Sequence, residues 1–138
     1  MELRPLLLNT RRIALVGASN KPERASFSVM RFLLARGYHV TPINPGLAGQ
    51  EILGQRVVAT LAEAAPLDLV DVFRRSEEAG SVMDEAVALG ARAVWLQLGV
   101  VDAAAAARAR AKGVAVVMDR CPVIEWRRLG LPNHISCT

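Results

Sequence analysis

The sequence predicts an α/β domain: a Rossmann-like, doubly wound parallel sheet of about five strands, forming a single domain over residues 1–138. Three observations carry this. Short, continuously apolar runs such as Ile13-Ala14-Leu15-Val16 recur along the chain, stretches of helical spacing separate them, and Gly or Asn-Pro stands at most junctions. Strand then helix, repeated, means right-handed crossovers and a parallel sheet, whose strands are apolar on both faces because helices cover both.

The elements follow in order. The run ending at Val16 is the first strand, stopped by Gly17. A helix follows with Phe27, Met30, Leu33 and Leu34 on one side and Gly37 as its stop. His39 to Ile43 is the second strand, closed by Asn44-Pro45-Gly46, and a Gly-punctuated stretch runs on to Gly54. Thr60 and Glu63 have the spacing of a capping box opening a short helix that Pro66 stops. Leu67 to Phe73 is the third strand. Ser76 is placed to cap the next helix, with Glu77 and Glu78 in its favourable first turn, and that helix runs to Gly90. Ala93 to Leu98 is the fourth strand. Asp102 caps a nearly pure alanine helix ending at Gly113, which should lie close to the sheet because it has no bulk. Val114 to Met118 is the fifth strand, and Val123 to Leu129 reads as a short helix with Trp126 packed on the body.

Composition narrows the function. A chain of 138 residues, 52% hydrophobic, can bury one core but leaves little room for a second lobe. The net charge of +4 and pI of about 9.8 point to an anionic partner. The basic residues are scattered, however, and aromatics make up only 4%, so no basic stripe or stacking platform for nucleic acid can be read. Scattered charge suits a small anionic ligand. Cys121 and Cys137 have neither disulfide-framework nor zinc spacing. Arg4 and Pro5 precede only three leucines, which is not a signal peptide, and no apolar stretch is long enough for a membrane span. A reducing cytoplasm is the expected location.

In open α/β sheets ligands bind outside the carboxyl ends of the strands. After the first strand stand Gly17, Ala18, Ser19, Asn20, Lys21, Arg24 and Ser26. Gly17 allows a sharp turn, Ser19 and Asn20 offer donors, the helix that follows presents its N-terminus, and Lys21 and Arg24 add positive charge. This is a phosphate-binding composition, although the same residues would serve as a solvated polar loop. It is not G-x-G-x-x-G. After the second strand, where a dinucleotide fold places an acid for the ribose diol, stand Asn44 and Pro45. A missing carboxylate suits a phosphorylated ribose, as in coenzyme A or NADP, and the missing glycines favour coenzyme A. Phe73, Arg74 and Arg75 follow the third strand; the arginines can fork onto phosphate or pair with Glu77 and Glu78. Gln97 and Gly99 follow the fourth strand and offer an amide and a turn.

The other candidates are weaker. His39 reads as a packed or edge residue and His134 lies in the tail. Cys121 follows the fifth strand, either facing the site or buried and inert. No catalytic triad, HExxH, P-loop or carboxylate dyad can be read, so no catalytic or metal-ligating residue is assigned. Donors and cations without a general base describe a binding module for coenzyme A or an acyl-CoA. An NAD(P)-binding enzyme or redox sensor is the second reading, and a ligand-free protein-interaction domain the third.

Gly17-Ala18-Ser19 with Lys21-Pro22-Glu23-Arg24, Asn44-Pro45, Asp71-Val72-Phe73-Arg74, Trp95-Leu96-Gln97-Leu98-Gly99 and Met118-Asp119-Arg120-Cys121 resemble the small stand-alone CoA-binding proteins of bacteria and archaea. These are similar to the N-terminal CoA-binding domain of the succinyl-CoA synthetase alpha subunit. The resemblance spans roughly Thr10 to Leu129 and implies coenzyme A lying across the strand tips, its phosphates near Ser19 to Arg24. It does not reach the synthetase's second domain, with its phosphorylated histidine, so synthetase activity is not carried over. The synthetase also has a basic residue shortly after the proline of its second strand loop, where this chain has Gly46, Leu47 and Ala48.

Overall fold

All five predicted strands form one parallel sheet in this computed structural model, which describes residues 2–135. In chain order the strands are β1 (Arg12–Val16), β2 (His39–Ile43), β3 (Glu51–Ile52), β4 (Gln55–Arg56), β5 (Leu69–Val72), β6 (Ala93–Leu96) and β7 (Ala115–Val117). The helices are α1 (Leu3–Asn9), α2 (Ala25–Ala35), α3 (Ser76–Ala88), α4 (Ala103–Ala111) and α5 (Pro122–Arg128). The main sheet has the order β2-β1-β5-β6-β7. Its register pairs Val16 with both Ile43 and Val72, so these strand ends come level at one edge.

Strand alternation divides the core into two layers. Ile13, Leu15, Leu69 and Trp95 face α1, α2 and α5, meeting Leu7, Met30, Leu33 and Trp126. Ala14, Val16, Val70, Val72 and Leu96 face α3 and α4, meeting Met83 and the alanines 105, 106 and 109. The alanine helix does lie close: those three alanines are buried, and a side chain on Gly80 of α3 would collide with the Asp102 carboxylate at the start of α4. Asp102 is the expected cap, its Oδ1 accepting from Ala105 N at 3.0 Å.

Four local readings need correction or addition. Thr60 and Glu63 bond side chain to side chain at 3.0 Å and open only a 3-10 turn, Ala62–Ala64, with no side-chain cap. Pro66 follows too soon for an α-helix to develop. Ser76 does not cap α3. Arg75 holds that position without a capping side-chain bond, while Ser76 Oγ accepts from Val101 N at 3.0 Å, a partner 25 residues away. The Gly-punctuated stretch contains the β3–β4 hairpin, turned by Leu53 and Gly54, both at positive φ, and its Ile52 is buried. Finally, α1 is a helix that docks through Leu7 and through a hydrogen bond from the Tyr38 hydroxyl to the Leu7 carbonyl.

Candidate functional site

β1 and β5 are neighbours in the sheet, yet the chain leaves β1 for α2 on one face and β5 for α3 on the other. A crevice opens where the two connections diverge, which is where ligands bind in doubly wound sheets. Gly17 makes it possible. It sits at φ 88°, and any side chain there would strike the carbonyl oxygen of Phe73.

A cradle of about 540 Å³ occupies this crevice. Its floor is Gly17, Ala18, Ser19 and Asn20; Lys21, Arg24 and Arg74 are its cations; Ser26, Asn44 and Phe73 complete the sequence-predicted lining. The amides of Gly17 and Ala18 both donate to the Ile43 carbonyl, at 3.1 and 3.2 Å, so the loop's donors for a ligand begin at Ser19. Ser19 Oγ accepts from Lys21 N at 3.1 Å and rounds the loop. Arg24 precedes α2 and no side chain caps that helix, which leaves Ala25 and Ser26, both lining the cradle, at the uncapped positive end of the helix dipole; the Phe27 and Ser28 amides are taken by Arg24 O. Asn44 has an internal task as well. Its Nδ2 donates to Ala18 O at 2.8 Å and its Oδ1 accepts from Gly46 N at 2.8 Å, locking the β1 and β2 loops together.

A second chamber of about 620 Å³ adjoins the first. The two share Ala25, Phe73 and Arg74. The chamber is largely apolar, with Val29, Leu98, Val100 and Cys121 in its walls, and Gln97, Gly99 and Arg75 at its edge. Leu98 is 57% exposed, a large apolar side chain facing solvent at the mouth. The loop after β6 is held by Asp119, whose Oδ1 accepts from Gly99 N at 2.7 Å. The Trp95 indole N–H donates to Arg120 O at 2.8 Å from below.

Thirteen of the fourteen sequence-predicted site residues therefore meet in these two adjoining spaces. Pro45 does not; it lines a neighbouring cleft on the α3 side, with Arg74 between the two. Arg74 lies 3.8 Å from Glu78, and Arg75 pairs with Glu78 at 3.1 Å and Glu77 at 4.0 Å. The side chains of these pairs are 36 to 79% exposed, hence the pairs are worth little. His39 is an exposed residue of edge strand β2, and Cys121 is half-buried in the chamber wall. His134 packs against Gly37, away from the site, and Cys137 lies outside the described residues.

Sequence reasoning missed Ala25, Val29 and Val100, which are ordinary apolar residues until the fold aligns them. It also passed over Asp71 as a chemical group. Asp71 is wholly buried on β5, and its Oδ1 accepts a hydrogen bond from Gln97 Nε2. Burial pushes its carboxyl up to about 7, and the Gln97 bond opposes only part of that rise. The signal was available: an aspartate inside an apolar central strand. Among the described residues no group of three or more His, Cys, Asp or Glu could hold a metal, and no helix is long and apolar enough to cross a membrane.

Fold and site together define a doubly wound α/β domain, with a cation-lined cradle and an apolar chamber joined at the switch point. Residues 11–127 match the CoA binding domain family, and the chain belongs to that family. It is 38% identical over 121 residues to the uncharacterized protein YneT of Bacillus subtilis, covering 87% of this chain and 88% of that one. A Thermus thermophilus structure, cell-free ID.343, superposes with a TM-score of 0.87 at 37% identity, covering 92% of this chain and 96% of that one. A dinucleotide-forming acetyl-coenzyme A synthetase 1 of Ca. Korarchaeum cryptofilum, in complex with phosphate and ADP, shares the fold. There the TM-score is 0.68 at 23% identity, over 83% of this chain and 26% of that one.

Proposed function

We propose that the domain binds coenzyme A or an acyl-CoA across its strand tips and presents it without catalysing a reaction on it. The observation that carries this is the continuity of the two spaces. A polar cradle with Lys21, Arg24 and Arg74 opens, past Phe73, into an apolar chamber. Coenzyme A has the matching build: a nucleotide end with pyrophosphate and ribose phosphate, then a long uncharged arm ending in a thiol. The α2 amides and Ser19 would hold the pyrophosphate, and Gln97 to Val100 would run beside the arm. Family membership supports the same ligand class. Asn44, placed where a diol-binding acid would serve NAD, is committed to the Ala18 carbonyl.

A binding role fits the chemistry at hand. The cradle supplies cations and donors, and the side-chain carboxyl of the buried Asp71 hydrogen-bonds only Gln97. A reducing cytoplasm suits a half-buried thiol, Cys121, in a ligand chamber. The test is a thermal-shift panel with coenzyme A, acetyl-CoA, dephospho-CoA, NAD and NADP. A ligand at one hundred times its Kd adds about 2.7 kcal/mol of stability. Coenzyme A should shift the Tm and NAD should not; a larger shift with NAD would replace this reading.

A further inference from the structure

Asp71 stands in the middle of the sheet, level with Leu15 on β1 and Trp95 on β6. It is wholly buried, and only one of its oxygens has a partner: Oδ1 accepts from Gln97, while Oδ2 meets no polar group. A buried carboxyl so poorly satisfied is costly, and an aliphatic residue would fill a central strand at lower cost. What distinguishes its single partner is location. Gln97 is 8% exposed and lines the apolar chamber, and the nitrogen end of its carboxamide is held by Asp71, so the buried carboxyl bonds directly to a residue of the chamber wall.

A carboxamide has an accepting oxygen and a donating nitrogen, and whichever is taken below decides what is offered above. An ionised Asp71 can only accept. It holds Nε2 and leaves the Gln97 carbonyl to the chamber. A protonated Asp71 can donate to that carbonyl, which turns the –NH₂ toward the chamber. Resting on coenzyme A as the ligand, we propose that Asp71 is a positioning residue that sets which end of the Gln97 carboxamide faces the pantetheine arm. The donor form suits an amide or thioester carbonyl of the arm; the acceptor form suits an amide N–H.

Burial supports this by pushing the Asp71 carboxyl up to about 7, which populates both forms near neutrality. The neighbouring strands present Leu15 and Trp95 at its level, and the α2 residues packed on this layer, Val29 and Met30, are uncharged. On α5 the buried Glu125 is paired with Arg128 at 2.8 Å. The other titratable groups on the chamber are Cys121, Arg74, Arg75 and Glu77. Tyr38, whose hydroxyl burial raises, is bonded to Leu7.

The test is calorimetric titration of coenzyme A at pH 6 and pH 8.5 into the wild type, Asp71→Asn, Gln97→Leu and the double variant. Comparing variants at each pH cancels the ligand's own phosphate titration. The ratio of wild-type to Asp71→Asn Kd should change at least threefold between the two pH values, rising if the arm presents a carbonyl to Gln97 and falling if it presents an N–H, and that change should vanish in the Gln97→Leu background. A pH-independent ratio overturns the proposal. So does a change of the same size without Gln97, which assigns the effect to the Asp71 charge alone. If Asp71→Asn does not fold, the wild-type to Gln97→Leu ratio carries the test: a pH-dependent ratio supports the device and a constant one overturns it. If the wild type binds no coenzyme A at either pH, the ligand reading fails on its own. The Gln97 side-chain amide resonances in ¹⁵N NMR then decide: movement with a single midpoint, lost in Asp71→Asn, supports the switch, and no movement overturns it.

Discussion

Gly17 and Phe73 touch across the switch point: the space a side chain at 17 would need is filled by the Phe73 carbonyl. The same two residues bound the cation-lined cradle. Close packing of one backbone on another thus shapes the floor on which a phosphate would rest. It also ties β1 to β5, since Phe73 N donates to Val16 O at 2.8 Å.

Gly17→Ala should therefore cost both fold and site. The residue sits at φ 88°, disfavoured for alanine, and its methyl group would push β5 away. We expect a loss of about 3 kcal/mol in urea unfolding. A loss under about 1 kcal/mol would mean that the loop relaxes freely.

Ser19→Glu should act on binding alone. Ser19 lies on the cradle floor in a half-buried loop, so the domain should keep its Tm within a few degrees. A carboxylate there would meet the pyrophosphate. Coenzyme A affinity should fall at least tenfold, about 1.4 kcal/mol. Unchanged affinity by calorimetry in the folded variant would remove Ser19 from the site.

Stability should fall as pH rises from about 4 to 7, because of Asp71. Its folded-state value is raised, so the native state binds more protons than the unfolded chain across that window. The cost of burying the charge is absent below about pH 4, where both states are protonated. It is fully felt above pH 7 and reaches a few kcal/mol, since each tenfold change in proton affinity is worth about 1.4 kcal/mol. Urea unfolding at pH 5 and pH 8 measures it. Asp71→Asn should flatten that part of the profile, and a profile unchanged by the substitution would show that Asp71 is ionised throughout.

Cys121 should form a mixed disulfide with coenzyme A. It is half-buried in the chamber wall, on the arm side of the proposed ligand. Its thiolate would attack coenzyme A disulfide, forming one protein–S–S–CoA bond and releasing one coenzyme A thiolate. Proximity would supply most of the rate. Intact mass should rise by one coenzyme A moiety, and the gain should be lost in Cys121→Ser but kept in Cys137→Ser. An adduct on Cys137 alone would leave Cys121 a packing residue.

Much of this molecule was legible in the chain itself. Apolar runs with helix-spaced stretches between them located all five main strands, because a sheet covered on both faces tolerates little else. The loops after those strands then named the cradle, since a parallel sheet collects its strand ends at one edge. Local chemistry that asked only for a neighbour also held, as with Asp102 capping α4. What failed needed distant partners. Ser76 bonds Val101, and nothing near Ser76 in sequence reveals that. The Leu53-Gly54 turn lacks the usual Asn-Gly signature and is held by burial of Ile52.

The sequence by itself determined the strand–helix alternation, the parallel sheet and the set of residues standing at the carboxyl edge of that sheet, because periodicity and turn chemistry are local properties of the chain. Only the tertiary structure decided how those residues divide into a charged cradle and an apolar chamber, and that Asp71 sits beneath Gln97. Strand order, register and the meeting of α2 with the loops after β5, β6 and β7 depend on contacts between residues far apart in the chain. Those contacts arise from packing two helical layers onto one sheet.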